Sequence, residues 1–216
     1  MRKSVVSKIV LATVAGSFTL SAWTAPSSTA EMTAMQNRAQ DHEVIGAVIA
    51  AIFTGQSALR GVVMPDSTIA PLVDEQLNDR NSGLVKTHFP QHVQIVPLTY
   101  KDFSKEKKKM KFDRVLLDVP RNKIDFESTA SLNAMGLALD TPTDSSWRIL
   151  KAKYPDATNF VAFSVPGYDS GRDMAIVSYF NLCGQGCYQK GYALLERNLN
   201  TRRWRMVHRN VVFGGG

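Results

Sequence analysis

Between Asn159 and Phe213, four stretches rich in β-branched and aromatic residues follow one another: NFVAFSV, DMAIVSYFNL, YQKGYALLER and RWRMVHRNVVF. The connectors between them, PGYDSGR, CGQGC and NLNTR, are short and built largely from turn-forming residues. Strands joined so tightly have no room to cross over, so the segment predicts a four-strand antiparallel meander. In the third stretch Tyr188, Tyr192 and Leu194 alternate with Gln189, Gly191 and Ala193, which predicts helices covering one face of the sheet.

The second connector holds the only two cysteines of the chain, Cys183 and Cys187. Gly184 and Gly186 between them can take the positive φ values that tight hairpins require, which brings the two thiols within disulfide reach. A thioredoxin-type centre has two residues between its thiols and opens a helix, which these glycines oppose. Structural zinc wants four ligands, and no second cysteine pair is present. The pair therefore reads as a structural disulfide, ahead of a redox centre or a metal clamp.

That reading needs an oxidising compartment, and the amino terminus supplies one. Arg2, Lys3 and Lys8 precede an uncharged, mostly apolar run from Ile9 to Ala22, and Ser28 to Ala30 forms a small-residue cleavage pattern. This is the layout of a secretory signal over residues 1–30, too short in its apolar part for a membrane anchor. The expected product is exported to the periplasm or the medium, with one globular domain over 31–213, no transmembrane segment, and Gly214 to Gly216 as a loose tail. Removing the leader takes away three of the 26 basic residues and none of the 19 acidic ones, so the net charge falls from +7 to +4. A charge of that size favours solubility and calls for no nucleic acid. At 44% hydrophobic residues the chain has the material for a real core.

Upstream of the meander, DHEVIGAVIAAIFTG places Val44, Ile45, Val48, Ile49, Ile52 and Phe53 on one helical face, with Asp41 as its N-cap and Gly55 beyond its end. RGVVMPDST reads as a short strand entering a turn, Pro71 to Asp79 as a short helix, and VQIVPL as a strand. KDFSKEKKKMKF reads as a polar helix or loop. SSWRILKAKY is a second clear helix, capped by Asp144 and stopped by Pro155. Together these predict an α+β fold.

The stretch from SSWRILKAKYPDATNF to RRWRMV resembles the closing region of a family of uncharacterised exported bacterial proteins. The residues carrying the resemblance are Trp147, Tyr154 to Pro155, Ser164 to Gly167, Ala175 to Val177, Gly184 to Gly186, Gly191 to Glu196 and Trp204. The helix followed by VVMPDST is similar to that family's opening. What the resemblance implies is an α+β domain with a carboxy-terminal antiparallel meander and no established activity; it assigns no catalytic residue.

Candidate chemistry is thin. HFPQH spaces His88 and His92 as two metal ligands on a helix would be, but Pro90 opposes the helix and the metalloprotease glutamate is missing. His42 and His208 stand alone in sequence. Ser170 in GYDSGRD has the neighbours of a protease nucleophile but also those of a hairpin turn, and no upstream histidine motif supports a triad. The carboxylate pairs Asp113 with Asp118 and Asp125 with Glu127 read as surface groups. KEKKKMK, with Lys105, Lys107, Lys108, Lys109 and Lys111, is the strongest charge cluster and the candidate contact for acidic lipid or polysaccharide. In RNLNTRRWRMVHR, strand alternation separates Trp204 from Arg203 and Arg205.

No cofactor is expected. The favoured reading is a non-enzymatic binding or envelope-accessory domain whose partner is an envelope component or another exported protein. The competing one is a hydrolase or metal-dependent enzyme with a dispersed site, for which His88, His92 and Asp66 are the candidates.

Overall fold

The computed structural model describes residues 29–53, 61–71, 74–105, 109–117, 124–137 and 144–215. Residues 1–28 of the expected leader, together with Gly55, Lys107, Lys108 and Asp118, lie outside these residues, and the last two of its thirty, Thr29 and Ala30, are helical. Among the described residues seven strands form one sheet: β1 (Val62–Pro65), β2 (Ile124–Glu127), β3 (Asn159–Phe163), β4 (Gly167–Tyr168), β5 (Met174–Gly184), β6 (Cys187–Arg197) and β7 (Trp204–Gly215). Their order is β2-β1-β3-β5-β6-β7, with β4 also paired to β5. The helices are α1 (Thr29–Ile52), α2 (Gly83–His88), α3 (Ile95–Lys105), α4 (Thr129–Ala134) and α5 (Asp144–Lys153).

The α+β class and the antiparallel run of β3, β5, β6 and β7 match the expectation. The sheet as a whole is mixed, because β1 pairs in parallel with both β2 and β3. Parallel neighbours need long crossovers, and the segments carrying α2 to α5 are those crossovers.

Helices cover both faces of the sheet, not one. Val161, Phe163, Val177, Tyr179 and Leu195 pack with Val44, Ile45, Val48 and Ile49 of α1. On the opposite face, Phe160, Ala162, Phe180 and Leu182 meet Leu132 of α4 and Leu150 of α5. Ile176, Tyr192 and Leu194 there meet Val85, Phe89, Val96 and Phe103. The cause lies in β3 and β5, whose residues are apolar on both sides and buried along nearly their whole length. Strands of that kind are stable only between two layers.

Three local expectations are corrected. Asp41 does not cap α1, which starts at Thr29, because the upstream TAEMTAMQNRAQ contains no breaker and is rich in helix formers. VQIVPL is not a strand but runs into α3. Pro97 lies in the first turn of that helix, where its missing N–H costs nothing, and Val96, Thr99, Tyr100 and Phe103 form the buried stripe. The glycine tail is paired as far as Gly215: Gly214 and Gly215 lie opposite Gln189 and Tyr188, satisfying backbone groups at the start of β6.

Cys183 and Cys187 are disulfide-bonded across the β5–β6 hairpin, with Cα atoms 5.1 Å apart. Gly186 takes φ 70°, the conformation for which glycine is suited. A second tie holds α1. His42 is fully buried; its Nδ1 lies 2.7 Å from the Arg38 carbonyl, so Nδ1 carries the proton. Nε2 is then free to accept the Asp113 N–H at 2.8 Å.

Two outcomes follow from these ties. Replacing both cysteines (Cys183→Ser with Cys187→Ser) should lower stability by about 2 kcal/mol, the value for so short a loop. Far-UV circular dichroism should show the fold retained. His42→Leu, which strands the Asp113 N–H, should cost about 1–3 kcal/mol in urea denaturation; a variant as stable as the parent would remove the latch.

Candidate functional site

Helix α3 lies against β4 so closely that a Cβ on Gly167 would come within 2.3 Å of the Phe103 Cβ. The contact is pinned by the Tyr168 N–H, which donates to Asp102 Oδ2 at 3.2 Å. The turn after β4 is held by Asp169, whose Oδ1 accepts the N–H groups of Asp173 at 3.0 Å and Met174 at 2.9 Å. Between helix and turn opens a cleft of about 360 Å³ lined by Leu98, Lys101, Lys105, Ser170 and Arg172 with the two carboxylates already named.

The cations are positioned from two directions. Lys101 and Lys105 are four residues apart on α3 and share a face. Arg172 sits at φ 55° in the turn, its guanidinium carbon 3.8 Å from the Tyr168 ring centroid. Its Nε donates to Gln40 Oε1 at 3.0 Å, and its Nη2 lies 3.8 Å from Asp41 Oδ1. The Tyr168 hydroxyl donates to the same Asp41 oxygen at 2.6 Å. Burial, and then the Asp41 charge, push the Tyr168 pKa up, so the phenol keeps its proton. The cleft thus combines three cations, two carboxylates that also serve as hydrogen-bond acceptors for the backbone, and one exposed apolar side chain, Leu98.

The residues singled out from sequence distribute unevenly around this cleft. Lys105 lines it; Lys109 and Lys111 are exposed along the segment that returns to the end of β1, where Lys111 bridges Ser67. Ser170 stands on its rim, exposed, and no histidine among the described residues lines the cleft. Lys101 and Arg172 were not legible as partners, because Lys101 falls beside a segment read as a strand and Arg172 lies in a turn distant in sequence.

The histidines behave differently. α2 ends at His88, Phe89 caps it, and Pro90–His92 forms a separate 3₁₀ turn, so the two histidines do not share a helix. They lie near His208 on β7, whose ring packs edge-on against Phe89 with centroids 4.9 Å apart. Burial lowers the His208 pKa, and the neighbouring His88 and His92 lower it further. Sequence alone gave no sign of this grouping. Among the described residues, no three His, Cys, Asp or Glu side chains are arranged to hold a metal ion. Asp66 is not part of the group: it follows β1, where its Oδ1 accepts the Thr129 N–H at 3.3 Å.

Glu127 is no ordinary surface group. Lys153 Nζ reaches its Oε2 at 2.5 Å, the Tyr154 hydroxyl donates to the same oxygen, and the Ser128 N–H donates to Oε1 at 3.1 Å. Lys153, and next Tyr154, pull the Glu127 pKa down to about 2. The constellation ties β2 to α5. No helix among the described residues is long and apolar enough to cross a membrane.

Comparison with family models, with curated proteins and with solved structures found no match to this chain.

The depressed Glu127 pKa has a defined sign. The carboxylate stabilises the fold above the unfolded value of about 4.5, and that contribution is lost as pH falls through about 2. In urea denaturation between pH 6 and pH 2, Glu127→Gln should be less stable than the parent at pH 6, with the two curves converging on acidification. A constant difference across the range would show that Glu127 contributes no titrating interaction.

Proposed function

We propose that the protein is exported and acts in the periplasm or outside the cell as a non-enzymatic binding or envelope-accessory domain. Its contact surface is the cleft beside α3 with the lysines that follow that helix in sequence. The observation that carries this reading is the convergence of Lys101, Lys105 and Arg172, from two separate elements, on one open cleft. Lys105 also stands in the last turn of α3, where a cation is favoured by the helix dipole and remains available to a ligand. The continuation through exposed Lys109 and Lys111 extends the positive surface beyond a single group.

The chemistry that fits is a repeated or clustered anion, as in an acidic polysaccharide or an anionic lipid headgroup. Export is supported by the leader-like amino terminus together with the Cys183–Cys187 disulfide. Membership of the exported bacterial family is proposed on the same footing, from the residues quoted for the resemblance.

The test is binding of the mature protein to polygalacturonate and, separately, to phosphatidylglycerol vesicles at rising salt. Binding to one of them should weaken steeply with ionic strength. Lys101→Glu with Lys105→Glu should weaken it by about tenfold or more, through loss of two attractions and gain of two repulsions, at an unchanged Tm. Absence of binding to both at low salt, or a double variant that binds like the parent, would overturn the reading.

A further inference from the structure

At the same end of the sheet, but sharing no residue with the α3 cleft, a second pocket of about 480 Å³ opens between the carboxy-terminal half of α1 and the β6–β7 turn. The two turns are joined there by the Arg197 N–H, which donates to the Asp173 carbonyl at 2.8 Å. One wall of the pocket carries Arg197, Arg202, Arg203 and Trp204; Glu43 of α1 stands on the other. Ala47, Leu117 and the Trp204 ring make part of the lining apolar.

The arginines are placed by the turn itself. The Asn198 N–H donates to the Arg203 carbonyl at 2.8 Å and the Arg202 N–H to the Asn198 carbonyl at 2.7 Å. Asn198 Oδ1 accepts the N–H groups of Asn200 at 3.0 Å and Thr201 at 2.9 Å. Arg202 is held at φ 59°, in the left-handed region that side chains other than glycine rarely occupy. This breaks the side-to-side alternation of a strand, so the consecutive Arg202 and Arg203 both border the pocket. Arg197 is oriented by its Nε, which donates to the Arg202 carbonyl at 3.3 Å.

Arg197, Arg202 and Arg203 thus all line one pocket, and among the described residues none has a carboxylate within 4.0 Å. Like charges held together without counter-charge oppose folding, and a rigid turn that maintains them is a place where local stability has been given up. A further unused group stands in the same wall: Trp204 is 8% exposed, and its buried indole N–H has no acceptor among the described residues.

We propose that this pocket binds a small organic anion, an apolar or aromatic body bearing a phosphate or carboxylate. Guanidiniums take such groups through paired, charge-assisted N–H donors, which an ammonium cannot match in geometry. The apolar lining receives the body, and Glu43 selects for an amine or hydroxyl at the far end. The volume lies within the range of about 300–1,000 Å³ usual for small-molecule sites. The proposal does not depend on the α3 cleft having a ligand.

The probe is phenyl phosphate, titrated into the ¹⁵N-labelled mature protein, with the Trp204 indole N–H resonance as readout, assigned by its loss in Trp204→Phe. A saturable shift is expected at or below about millimolar concentration, and inorganic phosphate, lacking the ring, should bind more weakly. Arg202→Gln with Arg203→Gln should weaken binding about tenfold or more. Both side chains are exposed and carry like charge, so the Tm should stay the same or rise, not fall. Glu43→Gln should tighten phenyl phosphate binding by removing a like charge. Lys101→Glu with Lys105→Glu should leave it unaltered, which separates this site from the α3 cleft.

Vesicles containing phosphatidic acid form the second arm. A response to vesicles alone that the arginine variant abolishes assigns the anion to a membrane headgroup, and a response to phenyl phosphate assigns it to a free molecule. A response to neither, or one that survives Arg202→Gln with Arg203→Gln, overturns the proposal.

Discussion

β5 has no polar face. From Ala175 to Leu182 every residue is buried, so water must be kept from both sides of the strand at once. An antiparallel strand with one wet face could have been served by a single layer of helices. Here α1 has to close one side while α2 to α5 close the other, and each long connection in the chain is committed to one of those two tasks. The parallel pairing of β1 with β2 and β3 is a consequence, since a chain that crosses above a sheet to cover it returns in the same direction.

The two layers are held in register by buried polar contacts at a few points. His42 links α1 to the segment carrying Asp113 through a neutral imidazole with both nitrogens engaged. Asp41, one residue away, receives the Tyr168 hydroxyl and lies beside Arg172, which ties α1 to the turn after β4. Glu127, Lys153 and Tyr154 do the same for β2 and α5. In each case a side chain buried or partly buried on one element satisfies a group on another, so that sliding one layer past the other would strand a donor or a charge. The specificity of the three-layer arrangement resides more in these contacts than in the apolar clusters, which tolerate rearrangement.

What could be read from the chain follows the range of the interactions involved. The four carboxy-terminal strands were legible because their alternation and turns lie within a few residues of one another, and α5 because Trp147, Leu150 and Tyr154 repeat at helical spacing. α3 was not, because VQIVPL is too short an apolar run to distinguish strand from helix, and of the decisive aromatics Tyr100 falls between the two segments and Phe103 in one that looked polar. The second covered face was hidden by Ala193 and Gly191, small residues that look like solvent-facing positions but are both buried. For the candidate site, Lys105 was visible as part of a charge run. Its companions Lys101 and Arg172, and the grouping of His88, His92 and His208, depend on β4 meeting α3 and on Phe89 meeting β7. No local pattern encodes such contacts.

The disulfide and the cationic clefts occupy opposite ends of β5. The strand begins beside the turn carrying Arg172 and ends at the hairpin closed by Cys183 and Cys187. A covalent link across so short a loop restricts the unfolded chain locally and has little reach along the strand, so it cannot be what arranges the cations. Their arrangement comes from side chains that fold back on their own turns: Asp169 on the N–H groups of Asp173 and Met174, and Asn198 on those of Asn200 and Thr201. Both turns place an arginine at positive φ, Arg172 at 55° and Arg202 at 59°, where glycine would be less strained. Glycine would relieve the backbone at either position but remove the guanidinium. Each turn thus carries a guanidinium on a backbone position where a side chain is strained, and the two positions lie at one end of one sheet.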